Sequence, residues 1–399
     1  MTGRKRSNIF NIGNLLIVIW CVYYLQGILY PFGSRITMMS LGLGLVLSVF
    51  FAVKSFVNYK MPKMLNVLGL LIVVFGIYGI LLQLSGSQGS MKSTGFEFTG
   101  IRYIHGSFSS LTPIIAFFYL TKKGFISKRT LQIWFFFFLI IATLRFFSYE
   151  SARILNSKFN IDEVTNNLSY DFLALLPLVL LFKEKPTIQY GSLIYIMFFI
   201  LYGMKRGAIL IAMICFLILF WKLLNDRSKK TKIATIVFGT VVVIAMFYFF
   251  NQLMRTSDYF NQRIASTIEG NTSGRDFYYS TLLLYFLNLQ SPLKFLFGGG
   301  AYYTFKLLGN VAHNDWLEIL INNGIVLAFV YLIYWCCFLR EVKRAKKTDY
   351  LLSLLLLFVI GLLKSFFSMS YSSTPLYSSL YLGYCLASMN KVHYENTIS

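Results

Sequence analysis

The sequence predicts an all-α polytopic membrane protein with about twelve transmembrane helices. Of its 399 residues, 57% are hydrophobic and only 13% are charged, and the mean hydropathy is +0.64. Soluble domains carry about 25% charged residues, so a water-soluble fold is excluded. The formal net charge is +22, but the Lys and Arg residues lie in short clusters between apolar runs. Membrane topology explains such clusters better than nucleic-acid binding does.

Twelve apolar windows are long enough to cross a bilayer, given about 20 residues for each span. The first is expected to be a retained span, because it runs to Phe32 without the small-residue site at which a signal peptide is cleaved. The windows lie near 14–31, 36–57, 64–84, 104–120, 130–147, 167–182, 189–204, 207–224, 232–250, 314–338, 350–367 and 374–389.

The distribution of Lys and Arg predicts that both termini are cytoplasmic. With the N-terminus inside, 23 of the 37 Lys and Arg residues fall in inner connections or termini, and every inner loop is basic. Positive charge is enriched on the cytoplasmic side of membrane proteins. We therefore expect residues 1–399 to form a single transmembrane domain.

One connection is long, between the ninth and tenth windows. Residues 251–312 have almost no spanning character and are predicted to be extracytoplasmic. Within them, an amphipathic helix is expected near 275–290, with Ser273 as its N-cap, lying on the membrane plane. A shorter outer segment, Ser85 to Tyr103, is rich in Ser and Gly and is expected to be flexible.

The first candidate site is the short outer turn from Tyr202 to Ala208. It contains Lys205 and Arg206, although outer loops are usually poor in cations. A guanidinium matches phosphate oxygens with two donors, and Gly207 allows a ligand or helix to approach the backbone closely. The alternative is that these cations only contact lipid headgroups.

The second candidate site ends the long outer segment. It comprises Phe297-Gly-Gly-Gly300, which is predicted to be a turn because no phosphate-loop lysine follows, and then His313-Asn-Asp-Trp-Leu-Glu318. A histidine at this position can act as a general base near neutral pH. In a helix, Asn314 and Glu318 would share a face. The alternative is an interfacial histidine that merely bonds to a neighbour.

Arg275 is the third piece, at the predicted start of the amphipathic helix, where backbone amides favour an anion. Arg206, Arg275 and His313 are therefore expected to converge on one anionic ligand. Asp171 lies within a span and is either functional or paired with a cation. Further outer cations are secondary candidates for the same pocket: Arg102, Arg145, Arg153 and Lys364.

These motifs resemble the O-antigen polymerase and O-antigen ligase superfamily. The resemblance covers the whole topology and is sharpest near 206–208, 273–276 and 297–325, above all in His313-Asn followed by Gly324. It implies a GT-C-like, inverting, metal-independent glycosyltransferase of the bacterial inner membrane whose site faces the periplasm or cell exterior. Its donor and acceptor would be oligosaccharides on undecaprenyl diphosphate.

Carried onto this sequence, the resemblance makes Arg206 and Arg275 the groups that hold the diphosphate, and His313 the base. It implies no cofactor, no metal ion and no nucleic acid, and besides membrane lipids it allows a chain-length regulator and a flippase as partners. The residues expected to bind substrate beside these three are Lys205, Asn314, Asp315, Glu318, Asp276, Arg102 and Arg145.

Two alternatives to a polymerase remain open. An O-antigen ligase would transfer the glycan to lipid A-core, but Leu327 stands where the ligase branch tends to have a small or hydroxylated residue, so polymerase is favoured. A twelve-helix secondary transporter would show two similar halves with broken spans at matching positions. Here the one large insertion is off-centre.

Overall fold

The computed structural model describes residues 11–86, 89–91, 96–156, 168–203, 205–225, isolated positions between 239 and 255, and residues 275–398. The first eight helices are α1 (Ile12–Tyr24), α2 (Arg35–Asn58), α3 (Lys63–Leu84), α4 (Gly100–Lys122), α5 (Lys128–Asn156), α6 (Ser169–Leu175), α7 (Pro186–Tyr202) and α8 (Arg206–Asn225). A 3₁₀ segment, Leu176–Phe182, continues α6, because Pro177 cannot donate the amide that an α-helix needs there.

Six further helices lie in the described residues 275–398, three of them within the long connection. They are α9 (Arg275–Leu287), α10 (Pro292–Phe297), α11 (Tyr303–Leu308), α12 (Asp315–Arg344), α13 (Leu351–Phe367) and α14 (Leu376–Ile398). Eleven of the twelve predicted windows coincide with a helix, the sixth with α6 and its 3₁₀ continuation. The ninth window, 232–250, and the predicted N-cap Ser273 lie almost wholly outside the described residues.

The protein is a multi-pass membrane protein. In the described part of the chain, four helical segments are long and apolar enough to cross a bilayer: Arg35–Asn58, Lys63–Leu84, Lys128–Ser148 and Asp315–Lys347. The surface of α2 is that of a membrane helix, because Ser48 and Ser55 are fully buried whereas Val46 and Val53 are 66% and 56% exposed. A soluble helix has the opposite pattern, while small residues inside and aliphatic residues outside suit packing in lipid.

Helix α4 lies at the centre of the fold, packed against α2, α3 and α14. Glycines permit its two closest contacts. A Cβ on Gly100 would lie 2.0 Å from the carbonyl oxygen of Gly79 in α3, and one on Gly383 would lie 2.6 Å from that of Ile114. The helix backbones therefore touch directly, as small residues allow in membrane proteins.

The outer segment expected to be flexible contains an antiparallel hairpin, so the all-α prediction needs one correction. Strands β1 (Gly89–Met91) and β2 (Phe96–Phe98) pair with Met91 opposite Phe96. Phe98 is buried and its ring centroid lies 3.8 Å from that of Phe305 in α11. This aromatic anchor fixes β2 against the segment that leads to His313.

Candidate active site

His313 lies just before Asn314, the N-cap of α12, and has a left-handed backbone, with φ of 53°. A side chain other than glycine rarely adopts this conformation, which costs about 1–3 kcal/mol and persists only where the surroundings impose it. The imidazole is half-buried. Hydrogen bonds fix the residues on either side of it in the chain, Ala312 and Asn314.

Glu318 fixes the residue before the histidine. Its carboxylate is 2% exposed; Oε1 accepts the backbone N–H of Ala312 at 2.6 Å, and Oε2 accepts the Thr304 hydroxyl and, at 2.9 Å, the Asn322 amide. Burying an anion is costly, and the three donors compensate for that cost. These contacts hold the Ala312 peptide in place, and substrate binding by Glu318 stays a prediction.

Asn314 fixes the residue after the histidine. The helix begins at Asp315, so Asn314 is its N-cap: Oδ1 accepts the amides of Trp316 at 3.0 Å and Leu317 at 3.2 Å. Its Nδ2 donates to the Phe366 carbonyl at 3.4 Å. Asn314 therefore does not share a helical face with Glu318, and it joins the start of α12 to the end of α13.

Asp315 links the α13–α14 loop to the start of α12. Its fully buried carboxylate accepts the amides of Ser370 at 2.9 Å and Tyr371 at 3.2 Å, and the Tyr331 hydroxyl at 2.8 Å. Residues 368–375, the α13–α14 loop, are thereby held against the start of α12.

The glycine-rich connection between α10 and α11 packs against a break in α12. Gly324 has φ of 80° inside the helix, and its Cβ would lie 2.3 Å from the Leu296 carbonyl oxygen. The amides of Gly299 and Gly300 donate to the carbonyls of Ile321 and Asn322, each at 2.9 Å. The predicted turn thus satisfies backbone groups near the break, as a membrane helix requires.

Two of the predicted cationic segments meet at the C-terminal end of α13. Arg275, the first residue of α9, donates from Nη1 to the Phe367 carbonyl at 3.0 Å. A Cβ on Gly207, the second residue of α8, would lie 3.2 Å from the Cβ of Phe367. The starts of α8 and α9 therefore adjoin the segment that Asn314 contacts.

The same cations act on the histidine. Burial, together with the positive charges of Arg275 and Lys205, lowers the pKa of His313 to about 4. The imidazole is therefore uncharged at neutral pH and has a lone pair that can accept a proton. Among the predicted residues, the structure brings Lys205, Arg275 and His313 into one electrostatic group.

The remaining predicted residues lie in different settings. Arg206 is the half-buried first residue of α8, and Asp276 is exposed in the first turn of α9, where an acidic residue favours the helix dipole. Arg145 pairs with Asp171 and its guanidinium lies 5.3 Å from the Tyr24 ring centroid. Asp171 thus takes the second of its two expected roles, that of a partner to a cation.

Arg102 lies in a different part of the structure from the group around His313. It lies in the first turn of α4 and acts electrostatically on Tyr302 and His105 rather than on His313. Sequence reasoning missed Tyr170 and the α13–α14 loop, which complete the surroundings of Gly207 and Asp315. No charge pattern marks either of them; only Asp171, adjacent to Tyr170, gave a signal.

Comparison with known proteins gives one family. Residues 191–332 match the family model described as O-Antigen ligase, a segment that contains Lys205, Arg206, Arg275 and the whole His313 to Gly324 motif. A comparison with curated proteins gives no match. Over residues 191–332 the chain therefore carries the domain of the O-antigen polymerase and ligase family.

Proposed function

We propose that this protein is a polysaccharide polymerase of the bacterial inner membrane. It transfers a growing glycan from undecaprenyl diphosphate onto the next lipid-linked repeat unit at the outer face. The observation that carries this proposal is the grouping of Arg275 and Lys205 around an uncharged His313. Permanent cations suit a diphosphate, and a neutral imidazole suits a hydroxyl that must lose its proton.

The proposed topology has twelve spans with both termini in the cytoplasm and residues 251–312 outside. Helix α8 begins beside Phe367 and ends at Asn225, yet Arg275 again lies beside Phe367. This placement supports our proposal that a ninth span returns the chain across the membrane between Asn225 and Arg275. On this topology the cationic group faces the periplasm or cell exterior.

In the proposed reaction, the acceptor hydroxyl oxygen attacks the anomeric carbon of the donor glycan. The bond from that carbon to the phosphate oxygen breaks, and its electron pair leaves with the lipid diphosphate. Arg206, Arg275 and Lys205 stabilise the charge that develops on this leaving group. The hydroxyl proton passes to His313. A diphosphate ester is already activated, so the step requires neither a nucleotide nor a resident cofactor.

The other side chains of the motif position the base. Glu318 and Asp315 are buried with donors of the protein itself, and Asn314 caps α12. We propose that they hold His313 in its left-handed conformation rather than contact sugar. Arg145 and Arg102 are then left for outlying parts of the glycan or carrier.

An O-antigen ligase is the second candidate, favoured by the description of the matching family model. It would use the same donor and leaving group, with lipid A-core as acceptor. Leu327, which is buried in α12, remains the sequence feature that favours the polymerase.

Surface glycan from a deletion strain separates these functions by electrophoresis. Loss of a polymerase leaves a single repeat on the core, and loss of a ligase leaves bare core. Re-expressed Arg206→Ala, Arg275→Ala and His313→Ala variants should each fail to restore long chains at normal membrane level. Lys294→Ala is the matched control, because Lys294 is an exposed cation of α10. Long chains in all three site variants would refute the proposed site.

A further inference from the structure

The last residues of α13 contact two segments of the candidate active site. The hydroxyl of Ser365 accepts the indole N–H of Trp316 at 3.0 Å, and the carbonyl of Phe366 accepts the side-chain amide of the α12 N-cap. The next carbonyl, that of Phe367, accepts the first residue of α9. The last carbonyls of an α-helix have no partner within the helix, so here they are free to hold the segments around His313.

Lys364 directly precedes these residues and is a buried cation. It is 6% exposed, in the last turn of α13, and its Nζ donates to the carbonyl oxygen of Ser373 at 2.7 Å and to the Ser373 hydroxyl at 3.2 Å. Its Nζ also lies 5.4 Å from the centroid of the Tyr170 ring, whose face attracts a cation. An ammonium has three donors, and these three contacts account for them. A buried charge in a membrane helix is costly and is expected at a functional position.

The α13–α14 loop is therefore held at two points that lie close together in the chain. Lys364 binds Ser373, and Asp315 accepts the backbone amides of Ser370 and Tyr371. Ser373 is only two residues after Tyr371, and each residue between the two points has only two soft backbone dihedrals. The position of Ser373 thus constrains the amides that bind Asp315, which is itself two residues after the histidine of the site.

We propose that Lys364 is a positioning residue for the transfer reaction. By binding Ser373 it folds the α13–α14 loop back onto α13, which presents the two loop amides to Asp315 and keeps His313 in its left-handed conformation. This inference rests on the proposed function. It gives Lys364 a role through the loop, whereas the sequence suggested a secondary cation for the anionic ligand.

Two other roles of Lys364 predict different kinetics for Lys364→Met. If the ammonium bound substrate, its loss would raise KM and leave kcat unchanged. If it only stabilised the fold, Tm would fall and the folded protein would keep its kcat. A positioning role predicts a lower kcat with an unchanged KM. Tm should then change little, because Ser373 is exposed and water can bond to the oxygens that the ammonium leaves.

The first experiment measures transfer kinetics and Tm of purified full-length variants in lipid vesicles. Lys364→Met should lower kcat by about tenfold to a hundredfold, the range for one hydrogen bond to a charged group. Ser373→Ala removes the more distant of the two acceptors, so it should lower kcat by less, and its exposed position lets it fold even if Lys364→Met does not. Lys343→Met is the matched control, because it makes the same replacement at an exposed position of α12.

The second experiment is a double-mutant cycle of Lys364→Met with Asp315→Asn. Asp315→Asn should also lower kcat, because asparagine replaces one of the two acceptor oxygens by a donor. If Lys364 acts through the loop, kcat of the double variant should fall no further than that of the more impaired single variant. Independent groups would instead give losses that multiply.

The third experiment follows hydrogen exchange of the Ser370 and Tyr371 amides by mass spectrometry, which requires no activity. Exchange should be faster in Lys364→Met and Ser373→Ala than in the unaltered protein, and unchanged in Lys343→Met. Unchanged exchange in the first two variants, an unchanged kcat in both, a raised KM alone, or multiplied losses in the cycle would each overturn the inference.

The proposed function is judged separately, by the chain lengths that His313→Ala and Arg275→Ala support in cells. Lost chains in those variants together with unchanged exchange in Lys364→Met would reject the role of Lys364 alone. Long chains in those variants together with faster exchange in Lys364→Met would reject the catalytic group, and with it a role of Lys364 in the reaction.

Discussion

Replacing Glu318 by glutamine tests whether this residue positions His313 or contacts substrate. The carboxylate accepts from the amide of Ala312, the hydroxyl of Thr304 and the amide of Asn322. A glutamine keeps the shape but turns one acceptor into a donor. The Ala312 N–H cannot reverse, and the Asn322 amide is fixed because its Oδ1 accepts the Thr304 amide at 2.8 Å. Either orientation of the glutamine therefore sets one N–H against another.

The size of the effect follows from that one mismatch. A buried donor without an acceptor costs about 1–3 kcal/mol. If this whole cost falls on the segment that carries His313, the fraction of molecules in which His313 keeps its left-handed conformation falls by about five- to 150-fold. The transfer rate should fall by no more than that, and Tm should fall by about 1–4 °C for a chain of 399 residues.

The assay is the rate of glycan transfer by purified variants in lipid vesicles, with Tm measured on the same preparations. Glu184→Gln is the matched control, because its side chain is 81% exposed and pairs only with Lys128 at the surface. Such pairs contribute little, so neither rate nor Tm should change.

Two results would refute the reasoning about Glu318. Wild-type rate and Tm in Glu318→Gln would show that the three hydrogen bonds do not position the base. A lost rate with an unaltered Tm would instead indicate direct contact with substrate, as the sequence alone predicted.

Three further predictions concern the break in α12, the protonation of His313 and the Arg145–Asp171 pair. Gly324→Ala should prevent accumulation of the protein in the membrane, because its Cβ would lie 2.3 Å from a carbonyl oxygen. The control Gly33→Ala has a similar φ of 71° with nothing within 4 Å, so it should lower the free energy of unfolding by only about 1 kcal/mol. Equal protein levels and equal Tm for the two variants would contradict this. The acid limb of the pH profile of kcat/KM should lie near pH 4, where His313 becomes protonated. Lys205→Gln should move this limb to higher pH, because it removes a cation that lowers the pKa of His313. A limb that stays in place or moves to lower pH would contradict this prediction. Asp171→Asn should lower the free energy of unfolding by about 1–3 kcal/mol, since it leaves the half-buried guanidinium of Arg145 without its carboxylate, and an unchanged Tm would exclude that role.

Hydropathy was enough to predict the long apolar helices of this fold, but not the short helices α10 and α11. Spans are long and continuous in apolar residues, so their existence depends on composition rather than on tertiary contacts. The break at Gly324 was not predicted, because a lone glycine in an apolar run is tolerated in many helices. It becomes necessary only where the Leu296 carbonyl approaches.

The charges of the site were predictable, but the roles of their neighbours were not. The sequence singled out three side chains on the predicted outer side: Lys205, Arg275 and His313. Asp315 and Glu318 have equally polar side chains, yet both are buried among backbone amides of distant segments. These amides belong to residues 6 to 56 positions away in the chain, and no local pattern encodes them.

The most direct test of the account is transfer from a polyprenyl-diphosphate glycan in vesicles that contain purified Arg275→Lys or His313→Ala protein. Lysine keeps the charge at Arg275 but not the planar fork that binds phosphate through two donors. The account predicts that lipid-linked units stay unjoined in both variants while each protein keeps its normal Tm. Chains of normal length from either variant would contradict it.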